Sequence, residues 1–155
     1  MISKIITAAD IKINLESTER EECFAELLEV IYAKHPSLNR FEALSALELR
    51  EEKVSTAAFP FVAVPHAICK SLDKTAISIG ITKKGIEFES ADVLSKENPK
   101  VNIIFEILFE ENDTQGHLQV LCDILRLVSN PDFVSKMINA ETPAQAFDVI
   151  ASFEK

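Results

Sequence analysis

The chain has 155 residues, 47% of them hydrophobic, with only three glycines. That supports one folded core, a single domain over residues 1–155, and excludes a disordered chain. A formal net charge of −9 leaves no basic face for a phosphate backbone, which excludes nucleic acid as the main partner; acidity of this size serves solubility and also suits a basic protein surface.

The elements alternate along the chain. Residues 11–15, IKINL, read as a short strand. Residues 18–35 read as a helix with Phe24, Leu27, Leu28 and Ile31 on one apolar face, opened by a Thr18–Glu21 capping box. Pro36 follows its end. A second helix runs from about Asn39 to Glu52, with Phe41, Leu44 and Leu47 on its buried side. FVAV (61–64), AISIGI (76–81) and VNIIFEILF (101–109) are short continuous apolar runs, the mark of strands covered on both faces. TKKG (82–85) reads as a turn and residues 89–100 as a polar loop. Residues 113–130 form a helix with Leu118, Leu121, Cys122 and Leu125 on one stripe. Asn130–Pro131 and Thr142–Pro143 each open a further helix, proline sitting at the first position where its missing N–H costs nothing. Strands interleaved with helices give an α/β sandwich, a central mixed β-sheet flanked by helices.

Cys23, Cys69 and Cys122 are odd in number and widely spaced, which fits a reducing compartment and neither a disulfide framework nor a zinc ribbon. The opening MISKIITAAD has no signal-peptide pattern, and no apolar run approaches the roughly 20 residues of a membrane helix. A soluble, cytoplasmic protein is expected.

Three histidines carry the candidate chemistry. His35 closes the first helix and has a structural reading, as its partial positive charge suits the helix terminus. His66 stands in FPFVAVPHAICK, directly after Pro65, which fixes φ and ends the strand. It is either a core histidine or a group held rigidly at a strand end, where ligands gather in α/β folds. His117 lies in the first turn of its helix and shares a face with Leu121, Ile124 and Val128. It is either a half-buried imidazole bonded to a backbone carbonyl, or a neutral donor to a phosphoryl or carboxylate oxygen. Arg50, near the end of the second helix, pairs with Glu51 or Glu52 or reaches an anion as a fork. Ser55 and Thr56 follow in a loop as possible phosphate donors. Cys69 reads as a small buried hydrophobe. No HExxH, CxxC or glycine-rich phosphate loop is present, so neither a metal site nor a nucleotide site is expected.

Taken together, LREEKVST, then VAVPHA, then GHLQVL with its histidine 51 residues after His66 resemble the type-2 enzyme IIA domains of the phosphoenolpyruvate-dependent phosphotransferase system, the fructose, mannitol and nitrogen-regulatory class. The resemblance runs over essentially the whole chain. Three features differ from the family pattern: Ala57, Phe59, Pro60 and Phe61 stand where a glycine-bearing loop is usual, Ala67 replaces the glycine after the histidine, and residues 89–100 lack the usual short acidic-glycine pattern. The resemblance implies a phosphotransferase in which His66 accepts a phosphoryl group from the histidine-containing phosphocarrier protein. His66 then passes it to a IIB domain, giving only an indirect link to a membrane IIC component. It implies that His117 donates to the phosphoryl oxygens, that Arg50 offsets their charge, and that Ser55 and Thr56 assist. No metal or cofactor is implied, since transfer between protein side chains needs positioning and charge stabilisation. An apolar docking rim around His66 is also implied; Phe59 and Phe61 either help form it or are core residues of the strand, the latter preferred for at least one of them. The alternative is a nitrogen-class regulatory protein in which the phosphorylation state of His66 controls partners. STAAF matches that class's glycine-rich STGIG loop only in part, so sugar transport is the preferred reading.

Overall fold

The two longest strands carry apolar side chains on both faces, so the sheet they form has to be covered twice. The computed structural model spans all 155 residues. Two 3₁₀ turns, Ile2–Lys4 and Ala8–Asp10, lead into β1 (Ile11–Ile13). Helices α1 (Arg20–Lys34) and α2 (Arg40–Lys53) follow. Next come β2 (Val62–Ala63), β3 (His66–Ile68), β4 (Ala76–Glu87) and β5 (Lys100–Phe109). The chain ends with α3 (Thr114–Val128), α4 (Pro131–Ile138) and α5 (Pro143–Phe153). The sheet order is β1-β4-β5-β2, and β3 extends the β2 side by also pairing with β5. β4 and β5 are antiparallel, while β1 is parallel to β4 and both β2 and β3 are parallel to β5. The mixed sheet flanked by helices is as expected.

Alternation sorts the side chains. Ile77, Ile79, Ile81, Ile103, Phe105 and Ile107 point to one face and pack with Ile124, Leu127, Met137 and Ile150 of α3–α5. Ala76, Ile104 and Leu108 point to the other and pack with Phe24, Leu27, Ile31 and Leu47 of α1 and α2. Each such side chain fully buried contributes about 1.5–3 kcal/mol. Gly80 is required on the α1 face: a Cβ there would lie 2.7 Å from Leu15 Cδ1 and 3.0 Å from both Leu27 methyls.

Several local expectations are corrected. The Thr18–Glu21 capping box does not form. The helix begins at Arg20 with Glu19 as N-cap and no side-chain cap bond, and the segment before it is held instead by Glu26, which accepts from the backbone N–H groups of Glu16 and Ser17. Phe41 is 83% exposed, because the buried line of α2 runs Ala43, Leu47, Glu51. On α3 the stripe is rotated: Ile124, Leu127 and Val128 are buried, whereas Leu118, Cys122 and Leu125 are exposed. TKKG is not a turn. β4 runs through it with a register shift between Ile81 and Ile86, and Gly85 adopts φ +78°, which glycine takes without steric cost. The caps at Asn39, Asn130 and Thr142 form as expected, each side chain accepting a backbone N–H two or three residues on.

Candidate active site

Pro65 interrupts a strand rather than ending it. β2 pairs with Ile103 and Ile104 of β5; after Val64 and Pro65 the chain rejoins β5 at His66, opposite Ile107. The Pro65 carbonyl accepts from Ile107 N at 2.9 Å, and Phe109 O accepts from Cys69 N at 2.8 Å. His66 is therefore fixed on a strand by main-chain bonds at both sides, and α2 packs over it.

The His66 ring is oriented by its own neighbour. Nδ1 lies 2.7 Å from the Val64 carbonyl oxygen. A carbonyl only accepts, so the proton is on Nδ1, and Nε2 of the neutral ring keeps its lone pair. Burial pushes the His66 pKa below its ordinary value of 6.5, and the Arg50 charge pushes the same way, against the Val64 bond. The ring is thus held neutral, with one nucleophilic nitrogen.

A cavity of about 400 Å³ is lined by His66, His117 and Phe109, by Arg50 and Lys53 of α2, and by apolar side chains including Leu49 and Ile68. The structure so brings together three of the five expected site residues. Arg50 pairs with neither Glu51 nor Glu52; its Nη1 donates to the Val54 carbonyl at 2.9 Å, and no carboxylate lies within ion-pair distance of it. Its charge remains available to an anion.

Ser55 and Thr56 are placed differently from the expectation. Both are buried and neither lines the cavity. Thr56 donates its backbone N–H to both Glu51 oxygens at 3.0 and 3.1 Å and its hydroxyl to Oε1 at 2.7 Å. Ser55 Oγ accepts from Ala57 N. They tether rather than bind: the Thr56 carbonyl accepts from Val64 N at 3.2 Å, and Val64 in turn holds the His66 ring. Glu51 anchors this relay from a site 1% exposed. Burial pushes its carboxyl pKa up, and the Thr56 donors offset only part of that.

His117 is oriented from the β5–α3 loop. Its Nε2 bonds the Glu110 carbonyl, and the Glu110 carboxylate lies 4.0 Å from the same nitrogen. The single N–H of a neutral His117 is thereby used by Glu110. The expectation of a neutral ring donating into the site is corrected: Nδ1 donates there only from the doubly protonated ring. Phe109, the last residue of β5, lies against both imidazoles. Its centroid is 4.3 Å from that of His117, stacked at 24°, and 6.0 Å from that of His66, edge-on at 69°.

Phe59 and Phe61 do not border His66. They line a separate cavity of about 580 Å³ with Val134 and Ile138 of α4, and no lining residue of that cavity is titratable. No cluster of three or more His, Cys, Asp or Glu side chains offers a metal site, and no helix is long and apolar enough to cross a membrane. Phe109, Lys53 and Glu51 were missed by sequence reasoning. Phe109 had one signal, alternation from Ile107 opposite His66, and Glu51 another, its place four residues beyond Leu47. Lys53 had none beyond proximity to Arg50.

A neutral imidazole with one unbonded nitrogen, sharing a cavity with a guanidinium that has no carboxylate partner, is the equipment of a nucleophile for an anionic electrophile. Residues 4–153 match "Phosphoenolpyruvate-dependent sugar phosphotransferase system, EIIA 2", and the chain belongs to that family. It is 29% identical over 155 residues to the PTS system fructose-specific EIIABC component of Bacillus subtilis, a match covering 99% of this chain but 24% of that relative. The chain thus spans about a quarter of that relative's length. It is 27% identical over 113 residues to the PTS system fructose-specific EIIA component of Haloferax volcanii, covering 73% of this chain and 70% of that one. Among solved structures, the nitrogen regulatory protein IIA-Ntr from Neisseria meningitidis superposes with a TM-score of 0.84 at 21% identity, covering 96% of this chain and 98% of that chain. The complex of enzyme IIAMTL and phosphorylated enzyme IIBMTL from Escherichia coli contains a chain with a TM-score of 0.77 at 18% identity, covering 95% and 97%. At these identities the structural likenesses establish the fold.

Proposed function

We propose that the protein is a phosphocarrier of the sugar phosphotransferase system, receiving a phosphoryl group on His66 from the histidine-containing phosphocarrier protein and passing it to a IIB domain. The reading rests on one observation above all: the Val64 carbonyl fixes the proton on Nδ1 and leaves Nε2 free in a cavity lined by Arg50. In the transfer, the Nε2 lone pair forms the new N–P bond. The donor's N–P bond breaks, and its electron pair returns to the donor nitrogen. The proton stays on Nδ1, bonded to the Val64 carbonyl, which stabilises the positive charge the ring acquires. Arg50 offsets the phosphoryl charge, and His117, in the same cavity, contacts its oxygens. Thr56 contributes by holding Val64, and Ser55 by accepting from Ala57 N in the same loop. The return step reverses these roles toward the IIB acceptor, so the contact with any membrane IIC component is indirect and the protein works in the cytoplasm.

The Bacillus subtilis and Haloferax volcanii relatives are each named fructose-specific, which makes fructose the first sugar to test. The regulatory alternative draws on the fold likeness to IIA-Ntr, which carries no partner information.

The test is reconstitution with phosphoenolpyruvate, enzyme I and the phosphocarrier protein, followed by addition of a IIB domain. The reading predicts acid-labile phosphate on the wild type, none on His66→Ala, and onward transfer to IIB. Phosphorylation of His66→Ala contradicts it. Phosphorylation of wild type that no IIB domain of the fructose or mannitol class discharges favours the regulatory alternative.

A further inference from the structure

We propose that Phe109 is a positioning residue for phosphoryl transfer, its ring wedged between the two imidazoles so that His66 Nε2 and His117 Nδ1 face one cavity. The proposal rests on the phosphocarrier reading and adds to it a residue that carries no polar group.

Phe109 is 3% exposed and terminates β5 opposite Ile68. Its main chain is fixed by the bond from Cys69 N, so its ring stands on rigid backbone. One ring then constrains two others, stacked on His117 and edge-on to His66. Stacked and edge-on aromatic contacts are each worth about 0.5–1.5 kcal/mol beyond burial. These contacts complete the two hydrogen bonds already described. Each imidazole has one nitrogen tied to a carbonyl, Val64 for His66 and Glu110 for His117, and one hydrogen bond on a ring tethered through its Cβ leaves some tilt. The shared ring limits that tilt.

The experiment compares wild type with Phe109→Leu and Phe109→Met, which keep apolar bulk and remove the ring. Phosphorylation is followed from the protein donor and, separately, from phosphoramidate as a small-molecule donor. A misplacement of the reacting nitrogen by a fraction of an ångström to 1 Å lowers kcat by about ten- to a hundredfold. The donor KM is expected to stay within about twofold, because Phe109 is buried and offers the donor almost no surface. Long-range proton–nitrogen spectra of the wild type are expected to show His117 ring protons shifted upfield of those of His35 by the stacked ring. Variants with wild-type kcat overturn the proposal while leaving the phosphocarrier reading intact. Absence of the upfield shift in the wild type overturns it whether or not the variants fold. A wild type that neither donor phosphorylates overturns both.

Discussion

Glu51→Ala probes the support of the site without touching the cavity. The carboxylate accepts three hydrogen bonds from Thr56, two from its N–H and one from its hydroxyl. Removing it orphans two buried donors at about 1–3 kcal/mol each. Relief of the carboxylate's own burial penalty returns part of that. The net loss is about 2–4 kcal/mol, a large share of the 5–15 kcal/mol of a typical domain. The effect extends beyond stability, because Thr56 O holds Val64 N and Val64 O holds His66 Nδ1. Urea unfolding followed by circular dichroism measures the first effect, and the phosphorylation rate of His66 in the folded fraction the second. A tenfold or greater fall in rate is expected from displacement of the nucleophile. A Glu51→Ala protein within about 0.5 kcal/mol of wild type, with an unchanged rate, refutes the relay from Glu51 to His66.

Three further outcomes are expected. Glu106, fully buried on β5 opposite Ser78, has no hydrogen-bond partner on either oxygen, and burial pushes its pKa well above 4.5. Glu106→Leu therefore stabilises the fold by about 1–3 kcal/mol at pH 7. Because the folded carboxyl holds its proton to higher pH than the unfolded one, the wild type is most favoured below about pH 4.5 and loses ground to Glu106→Leu as pH rises through the raised value; unfolding midpoints that fall in parallel for the two proteins across that range contradict this. Arg50→Lys keeps a charge but loses the fork, and phosphoryl transfer falls by about 10²-fold, the usual scale for one lost donor at developing charge; a rate within threefold of wild type excludes Arg50 from the site. Since burial and Arg50 hold the His66 pKa below 6.5, acceptor activity toward phosphoramidate persists below pH 6.5, and a midpoint at or above that value contradicts the assigned environment.

Much of the fold was legible because continuous apolar runs and helix caps are local signals: the β5 run, the Asn39, Asn130 and Thr142 caps, and the covering of both sheet faces all followed from short windows of sequence. The errors are those of register and of tertiary choice. Phe41 and the α3 stripe were misassigned because several apolar faces coexist on one helix, and only the position of the sheet selects among them. TKKG looked like a turn, yet pairing with β5 carries the strand through its polar residues. At the site, His66, His117 and Arg50 were candidates by residue type, and only the resemblance to the IIA domains joined them into one site. The arrangement that gives them roles could not be read. Val64 O, Glu110 O and Phe109 act through backbone or ring contacts that no residue type announces, and Thr56 turned from the cavity because a buried carboxylate five residues earlier claims its donors.

The central claim is that His66 carries the phosphoryl group on Nε2, with Nδ1 protonated and bonded to Val64. Nitrogen-15 and phosphorus-31 NMR of the phosphorylated, histidine-labelled protein tests it directly. The account predicts one phosphorus-coupled ring nitrogen, assigned to His66 Nε2, and a proton retained on Nδ1. Coupling to His66 Nδ1, or a phosphoryl group on His117 or His35, contradicts it.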